Sequence, residues 1–155
     1  MDKIIPPYQH IQTAHCENGV ATGLLKHHGL DFMTEPLMFG LGSGIFYIHI
    51  PFCKQACHYC NFHFSASTQL LDKMVNAICK EIALQQDFFE DANLVIETIY
   101  FGGGTPSLLP TKATAQILDT INLHFNVNAT AEITLEANPD DITLEKLTEF
   151  KTMGI

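Results

Sequence analysis

The chain has 155 residues, of which 46% are apolar and 16% charged, so it can bury a core and is not a disordered segment. Its 17 acidic residues outnumber 8 basic ones, all of them Lys, and the net charge of -9 argues against nucleic-acid binding, which needs clustered cations. The sequence shows neither a bilayer-spanning apolar run nor a signal-peptide pattern, so it predicts a cytoplasmic protein without a membrane span.

Short apolar runs alternate with helix-period segments from residue 45 onward, a pattern typical of parallel βα units. Strands are predicted at residues 45–50, 94–101 and 132–135. Helices are predicted at residues 68–89, from a cap at Thr111, and from Thr143 to Gly154. Their inner faces are expected to carry Leu70, Met74, Ile78 and Ile82, then Ile117, Leu118, Ile121 and Phe125, then Leu144, Leu147 and Phe150. The fold class is therefore α/β with about three βα units.

The strongest chemical signal is a group of three cysteines after the first predicted strand. Cys53, Cys57 and Cys60 have the spacing CxxxCxxC, and no nearby cysteine completes a set of four. A four-iron cluster held by three thiolates keeps one iron open for a substrate, whereas ferredoxins use four cysteines. The odd total of five cysteines also argues against a disulfide framework. The spacing favours a cluster built for chemistry.

Two other interpretations of these thiols stay open at this point. The three cysteines, together with His58 or His63, also make the four-ligand set of a structural zinc site. Alternatively, the thiols are unligated core side chains. Neither interpretation accounts for the motifs that follow the next two strands.

The segment from Tyr47 to Cys60, YIHIPFCKQACHYC, is similar to the cluster-binding segment of radical S-adenosylmethionine (SAM) proteins of the oxygen-independent coproporphyrinogen III oxidase-like family. The resemblance covers about residues 45–155 and implies half of a radical SAM (β/α) barrel, so complete activity is not expected of this truncated chain. In that family the open iron binds SAM, and an electron from the cluster cleaves it to methionine and a 5′-deoxyadenosyl radical. The resemblance implies Cys53, Cys57 and Cys60 as cluster ligands and a reductant as a partner.

Two further motifs follow the second and third predicted strands. FGGGTPS, residues 101–107, is by itself typical of a tight turn and lacks the Lys of a phosphate-binding loop. Glu136, in LEANP, is by itself typical of a solvated carboxylate. Because all three motifs follow strand ends, they are expected at the edge of the sheet where α/β barrels carry active sites. The family resemblance implies a SAM site lined by Tyr47, Tyr59, Gly103, Gly104, Thr105 and Glu136.

Residue 62 indicates the branch of this family. The coproporphyrinogen dehydrogenases carry another cysteine two residues after the third ligand, and this chain has Phe62 there. Cys-x-Phe is similar to the heme chaperone group, HemW, which implies heme and a heme-accepting protein as partners. A coproporphyrinogen III oxidase of porphyrin biosynthesis and an inactive truncated or fused fragment remain the alternatives. None of the eight histidines is assigned as a heme ligand.

Residues 1–44 differ in composition, with repeated glycines around one helical stretch near residues 16–27, so a domain boundary is expected near residues 43–45. From about residue 12 to residue 44 they resemble the start of the butirosin biosynthesis protein H-like N-terminal domain, a family that includes thiol acyltransferases. Cys16 stands where that family has its nucleophile. An idle thiol is expected instead, because no His or Asp partner is recognised. The join is either a fusion or an error in the gene model.

Overall fold

A computed structural model of the chain describes residues 34–38, 43–58, 64–86 and 94–155. Cys16, Tyr59, Cys60 and the predicted helix near residues 16–27 lie outside these ranges. None of the helices in the described ranges is long and apolar enough to cross a membrane. The elements in chain order are β1 (Thr34–Met38), β2 (Ser43–Ile50), α1 (Leu71–Leu84), β3 (Val95–Gly103), α2 (Thr111–His124), β4 (Val127–Leu135) and α3 (Leu144–Thr152).

The strands form one sheet in the order β1-β2-β3-β4. β2, β3 and β4 are parallel and alternate with α1, α2 and α3, which confirms the predicted α/β class with three βα units. β1 was not predicted: it precedes the expected boundary and pairs antiparallel to β2. It contains Pro36, which weakens the sequence signal of a strand but is tolerated at the edge of a sheet. The boundary near residues 43–45 stays a prediction.

The core is one cluster of apolar side chains from the sheet and from α1 and α2. Because side chains alternate along a strand, β2 contributes Phe46, Ile48 and Ile50, and β3 contributes Ile99 and Phe101. Burial of each such side chain stabilises the fold by about 1.5–3 kcal/mol. The helices complete the cluster with Leu71, Val75, Ile78, Ile82, Ile117, Leu118 and Ile121.

The starts of α1 and α2 differ from the prediction. Leu70 is predicted on the inner face of α1, but it precedes the helix and is 58% exposed. The buried face begins at Leu71 and Val75, one residue later than predicted, because α1 starts after a turn. Thr111 is the first helical residue of α2 and not its cap, since Pro110 holds that position and no side chain caps the helix.

The two ends of α3 follow the prediction. Thr143 caps the helix, because its hydroxyl accepts a hydrogen bond from the N–H of Lys146 at 3.2 Å. Gly154 follows the last turn with φ of 88°, a conformation that favours glycine. Of the apolar residues predicted on its inner face, Phe150 is buried, whereas Leu144 and Leu147 are exposed.

β4 is longer than the predicted strand at residues 132–135 and begins at Val127. Its first half, VNATA, has small or polar side chains after Val127 and is half-buried or exposed, so it lacks the run of large apolar residues that reveals β2 and β3 in the sequence. The start of β4 is therefore set by its pairing with β3, where Val127 lies opposite Ile96, and not by a local sequence pattern.

Candidate functional site

Three loops meet at the carboxyl ends of β2, β3 and β4. We name them the cysteine loop (described residues 51–58), the glycine loop (residues 102–107) and the carboxylate loop (residues 136–141). They enclose a cavity of about 600 Å³. The predicted cluster ligands Cys53 and Cys57 thus share one space with the two other motifs. The cavity is lined by Cys53, Lys54, Gln55, Cys57, Gly104, Thr105, Glu136, Ala137, Asn138 and Asp140.

The cysteine loop presents two free, half-buried thiols, those of Cys53 and Cys57. Its base is closed by Ser65, which accepts a hydrogen bond from the N–H of Cys53 at 3.0 Å and donates its own N–H to Pro51 at 2.7 Å. The Thr105 hydroxyl donates to the Cys53 Sγ at 3.6 Å, so the glycine loop also contacts this thiol. Within the described residues no three His, Cys, Asp or Glu side chains form a metal-binding group. The third predicted ligand, Cys60, lies outside them.

The glycine loop needs glycine because it passes directly against its neighbours. A Cβ at Gly104 would lie 2.7 Å from the Phe52 carbonyl oxygen and 3.0 Å from the Cys53 Sγ. Gly103 has φ of 112°, and a Cβ there would lie 2.6 Å from the His49 ring. Contacts this short are not tolerated for a real Cβ, so the glycine run sets the close approach of two loops as well as forming a turn.

Glu136 is held by β3. Its Oε1 accepts a hydrogen bond from the Tyr100 hydroxyl at 2.8 Å, and its Oε2 accepts one from the Gly103 N–H at 3.2 Å. Its own N–H donates to the Phe101 carbonyl at 3.0 Å. The hydrogen bond to Glu136 raises the pKa of Tyr100, and burial and the negative charge of Glu136 raise it further. Glu136 is therefore an oriented carboxylate at the cavity, not a freely rotating surface group.

Tyr100 is a site residue that the sequence analysis missed. It pairs with Tyr47 across β2 and β3, and the two rings stack with centroids 5.9 Å apart and planes 14° apart. Tyr47 itself does not line the cavity and reaches it through Tyr100 and Glu136. The signal was present in the sequence, because strand alternation places Tyr100 on the same face as Gly102.

The described residues fit an iron–sulfur cluster. Two free thiols face one cavity, and the absence of a side chain at Gly104 keeps space beside the Sγ of Cys53. Thiolates are the usual ligands of such clusters. The carboxylate of Glu136 and the hydroxyl of Thr105 line the same cavity and provide acceptors for a polar ligand.

A comparison with known families finds a match over residues 15–94 to the family described as butirosin biosynthesis protein H, N-terminal. The match confirms the expected resemblance and extends it beyond residue 44. It includes the cysteine loop and α1, so this family and the radical SAM resemblance share part of the chain.

Curated relatives match the chain over 70% of its length. The heme chaperone HemW of Synechocystis is 38% identical over 116 residues, and that of Bacillus subtilis is 36% identical over 111 residues. The mitochondrial radical S-adenosyl methionine domain-containing protein 1 of Danio rerio is 33% identical over 110 residues. These alignments cover 27%, 29% and 24% of the three relatives, so the chain spans less than a third of their length.

Among solved structures, the coproporphyrinogen III oxidase HemN from Escherichia coli, a radical SAM enzyme, aligns with a TM-score of 0.67 at 24% sequence identity. The alignment covers 86% of this chain and 34% of the enzyme. At this identity the likeness establishes a shared fold. It confirms the prediction of a partial radical SAM barrel.

Proposed function

We propose that the cavity of this chain, which belongs through residues 15–94 to the butirosin biosynthesis protein H N-terminal family and is similar to the radical SAM proteins HemW and HemN, binds a [4Fe–4S] cluster and SAM. One observation carries this proposal. Cys53, Cys57, Gly104, Thr105 and Glu136, which come from three separate loops, line the same cavity. Three unrelated turns would not be expected to bring two thiols, a glycine and an oriented carboxylate together.

Cys53, Cys57 and Cys60 would hold the cluster, and three ligands for four irons leave one iron for SAM. The bound cluster supplies the electron that cleaves SAM. The residues of the chain itself would position the cluster and SAM. Thr105 contacts the Cys53 Sγ, and Glu136 is fixed by two hydrogen bonds, so both are oriented before a ligand enters.

The proposed SAM contacts include Gly104, which lines the cavity, and Gly103, which precedes it in the glycine loop and is not among the lining residues. The N–H groups of Gly103 and Gly104 already donate to Glu136 and to Ile50, at 3.2 and 2.9 Å. These glycines therefore offer carbonyl oxygens, which accept hydrogen bonds from an ammonium group such as the amino group of SAM. Glu136 would accept hydrogen bonds from the ribose or pair with a cationic group. Tyr47 and Tyr59 are the remaining residues proposed to contact SAM.

For the protein as a whole we propose heme binding and transfer to an acceptor protein. The support is that the relatives named above include heme chaperones and that Phe62 replaces the extra cysteine of the dehydrogenases. A reductant for the cluster is a further proposed partner. A cluster held by free thiols favours a reducing compartment such as the cytoplasm.

Anaerobic reconstitution followed by iron, sulfide and absorption measurements tests the cluster. Wild type is expected to hold about four iron per chain with broad brown absorption. Cys53→Ala, Cys57→Ala and Cys60→Ala are each expected to lose it. The matched control is Cys79→Ala, because this half-buried thiol lies on α1 and contacts the Gln116 carbonyl, outside the cavity. One zinc and no iron per wild-type chain would overturn the proposal in favour of a structural zinc site.

SAM and heme are tested separately. Glu136→Gln retains the shape of the side chain and removes its charge, so it is expected to weaken SAM binding to the reconstituted protein in calorimetry without changing the iron content. Equal SAM affinity in both proteins would exclude Glu136 from the site. Titration of heme into wild type is expected to shift the Soret band, and an unshifted band would count against the heme chaperone function.

A further inference from the structure

The three loops of the cavity are joined at one buried carboxylate, that of Asp141. Its side chain is only 3% exposed. It forms an ion pair with Lys54 of the cysteine loop and accepts a hydrogen bond from the Ser107 hydroxyl of the glycine loop at 3.1 Å. Asp141 itself belongs to the carboxylate loop. One carboxylate therefore contacts both of the other loops.

Ser107 connects the glycine and carboxylate loops a second time. It is fully buried, and its hydroxyl oxygen accepts the N–H of Asn138 at 3.0 Å while it donates to Asp141. Its backbone N–H donates to the carbonyl of Glu136 at 3.2 Å, and its carbonyl accepts a hydrogen bond from the ammonium group of Lys146. These bonds fix the backbone at Glu136 and two residues after it, at Asn138.

A buried carboxylate is costly unless it is paired and hydrogen-bonded, so the arrangement around Asp141 is specific. Lys54 directly follows Cys53, and its side chain is 54% exposed at the cavity wall. Because Lys54 pairs with Asp141, this lysine already has an anionic partner within the protein. The ion pair therefore restrains the cysteine loop at the residue next to Cys53.

We propose that Asp141 is a positioning residue, whose carboxylate holds the cysteine loop, through Lys54, and the glycine loop, through Ser107, in the arrangement that places the Cys53 thiol beside Gly104. The importance of this arrangement for SAM rests on the proposed function of the cavity. The loop contact is made by residues of the chain alone, so it is measurable in the protein without cluster or SAM.

Peptide-resolved alkylation of the reduced, cluster-free protein measures the loop contact. Asp141→Asn and Lys54→Met are expected to speed alkylation of Cys53 and Cys57 about tenfold, which corresponds to about 1.4 kcal/mol in local opening. Cys79, on α1, is expected to react at the wild-type rate and is the internal control for global unfolding. Lys54→Arg preserves the cation and is expected to restore slow alkylation.

Two further variants complete the design. Asp119→Asn removes one negative charge from an exposed position of α2 and is expected to leave the thiol reactivity unchanged. The double variant Lys54→Met, Asp141→Asn is expected to react less than the product of the two single effects would give, because each change breaks the same contact. If Asp141→Asn does not fold, Lys54→Met, at a half-exposed position, decides the question.

A spectroscopic measurement separates positioning of the site from mere stabilisation. In reconstituted wild type, SAM is expected to change the electron paramagnetic resonance spectrum of the reduced cluster. Asp141→Asn is expected to diminish that change while retaining iron, and Lys54→Arg to preserve it. Wild-type alkylation rates at Cys53 and Cys57 in both Asp141→Asn and Lys54→Met would overturn the proposal. Absence of iron in wild type would instead overturn the proposed function, and the alkylation rates would still decide whether Asp141 holds the loops.

Discussion

Replacement of Gly104 by alanine tests the packing of the glycine loop against the cysteine loop. A Cβ there would lie 2.7 Å from the carbonyl oxygen of Phe52 and 3.0 Å from both the carbonyl oxygen of Ile50 and the Sγ of Cys53. Two of these neighbours are backbone atoms, which cannot rotate away. The N–H of Gly104 also donates to Ile50 at 2.9 Å, so separating the loops would break this bond.

The expected cost follows from this geometry. Overpacking of a filled site typically destabilises by about 1–3 kcal/mol. In a chain of this size each 1 kcal/mol lowers the Tm by about 2–4 °C. Because the displaced group includes the Cys53 thiol, Gly104→Ala is expected to lose iron after reconstitution as well as thermal stability. Circular dichroism melting and iron analysis measure the two effects.

Gly154→Ala is the matched control. Gly154 has φ of 88°, and a Cβ there would meet Ile133 Cδ1 at an ordinary 3.6 Å. Its expected cost is backbone strain alone, about 1–2 kcal/mol, with no loss of iron. Wild-type stability and full iron content in Gly104→Ala would refute the inference that the glycine loop packs directly against the cysteine loop.

Two other predictions concern the hydrogen bonds of single side chains. Because the pKa of Tyr100 is raised above its ordinary value of about 10, the stabilisation from its bond to Glu136 is complete below pH 10 and is lost as the pH rises through the folded-state pKa. Tyrosinate absorbance should show a titration above the ordinary pKa that Tyr100→Phe removes, and its persistence in that variant would refute the assignment. Thr143→Ala should lower the free energy of unfolding by about 1 kcal/mol in urea, since its hydroxyl caps α3. Thr111→Ala should change it by less than about 0.5 kcal/mol, because Thr111 caps nothing, and equal losses would contradict the cap assignment.

Much of the fold could be predicted because its central strands are apolar runs. β2 and β3 are buried on at least one face, and the residues after them carry the cysteine and glycine motifs. β1 and the first half of β4 could not be predicted in this way. They belong to the outer strands of the described sheet, with a proline in one and small or polar residues in the other, and they are strands because they pair with a neighbour.

The features of the site also fall into those that the sequence could predict and those that it could not. The sequence by itself predicted which residues meet at the site, since the CxxxCxxC spacing, the glycine run and Glu136 each follow a strand, and parallel strands bring their carboxyl ends to one edge. Only the tertiary structure decided that Tyr100 orients Glu136 and that Asp141 contacts Lys54 and Ser107. Tyr100 and Glu136 lie 36 residues apart in the chain, and Ser107 and Asp141 lie 34 residues apart. No local periodicity or motif encodes such contacts, because they exist only after the strands have paired and the loops have met.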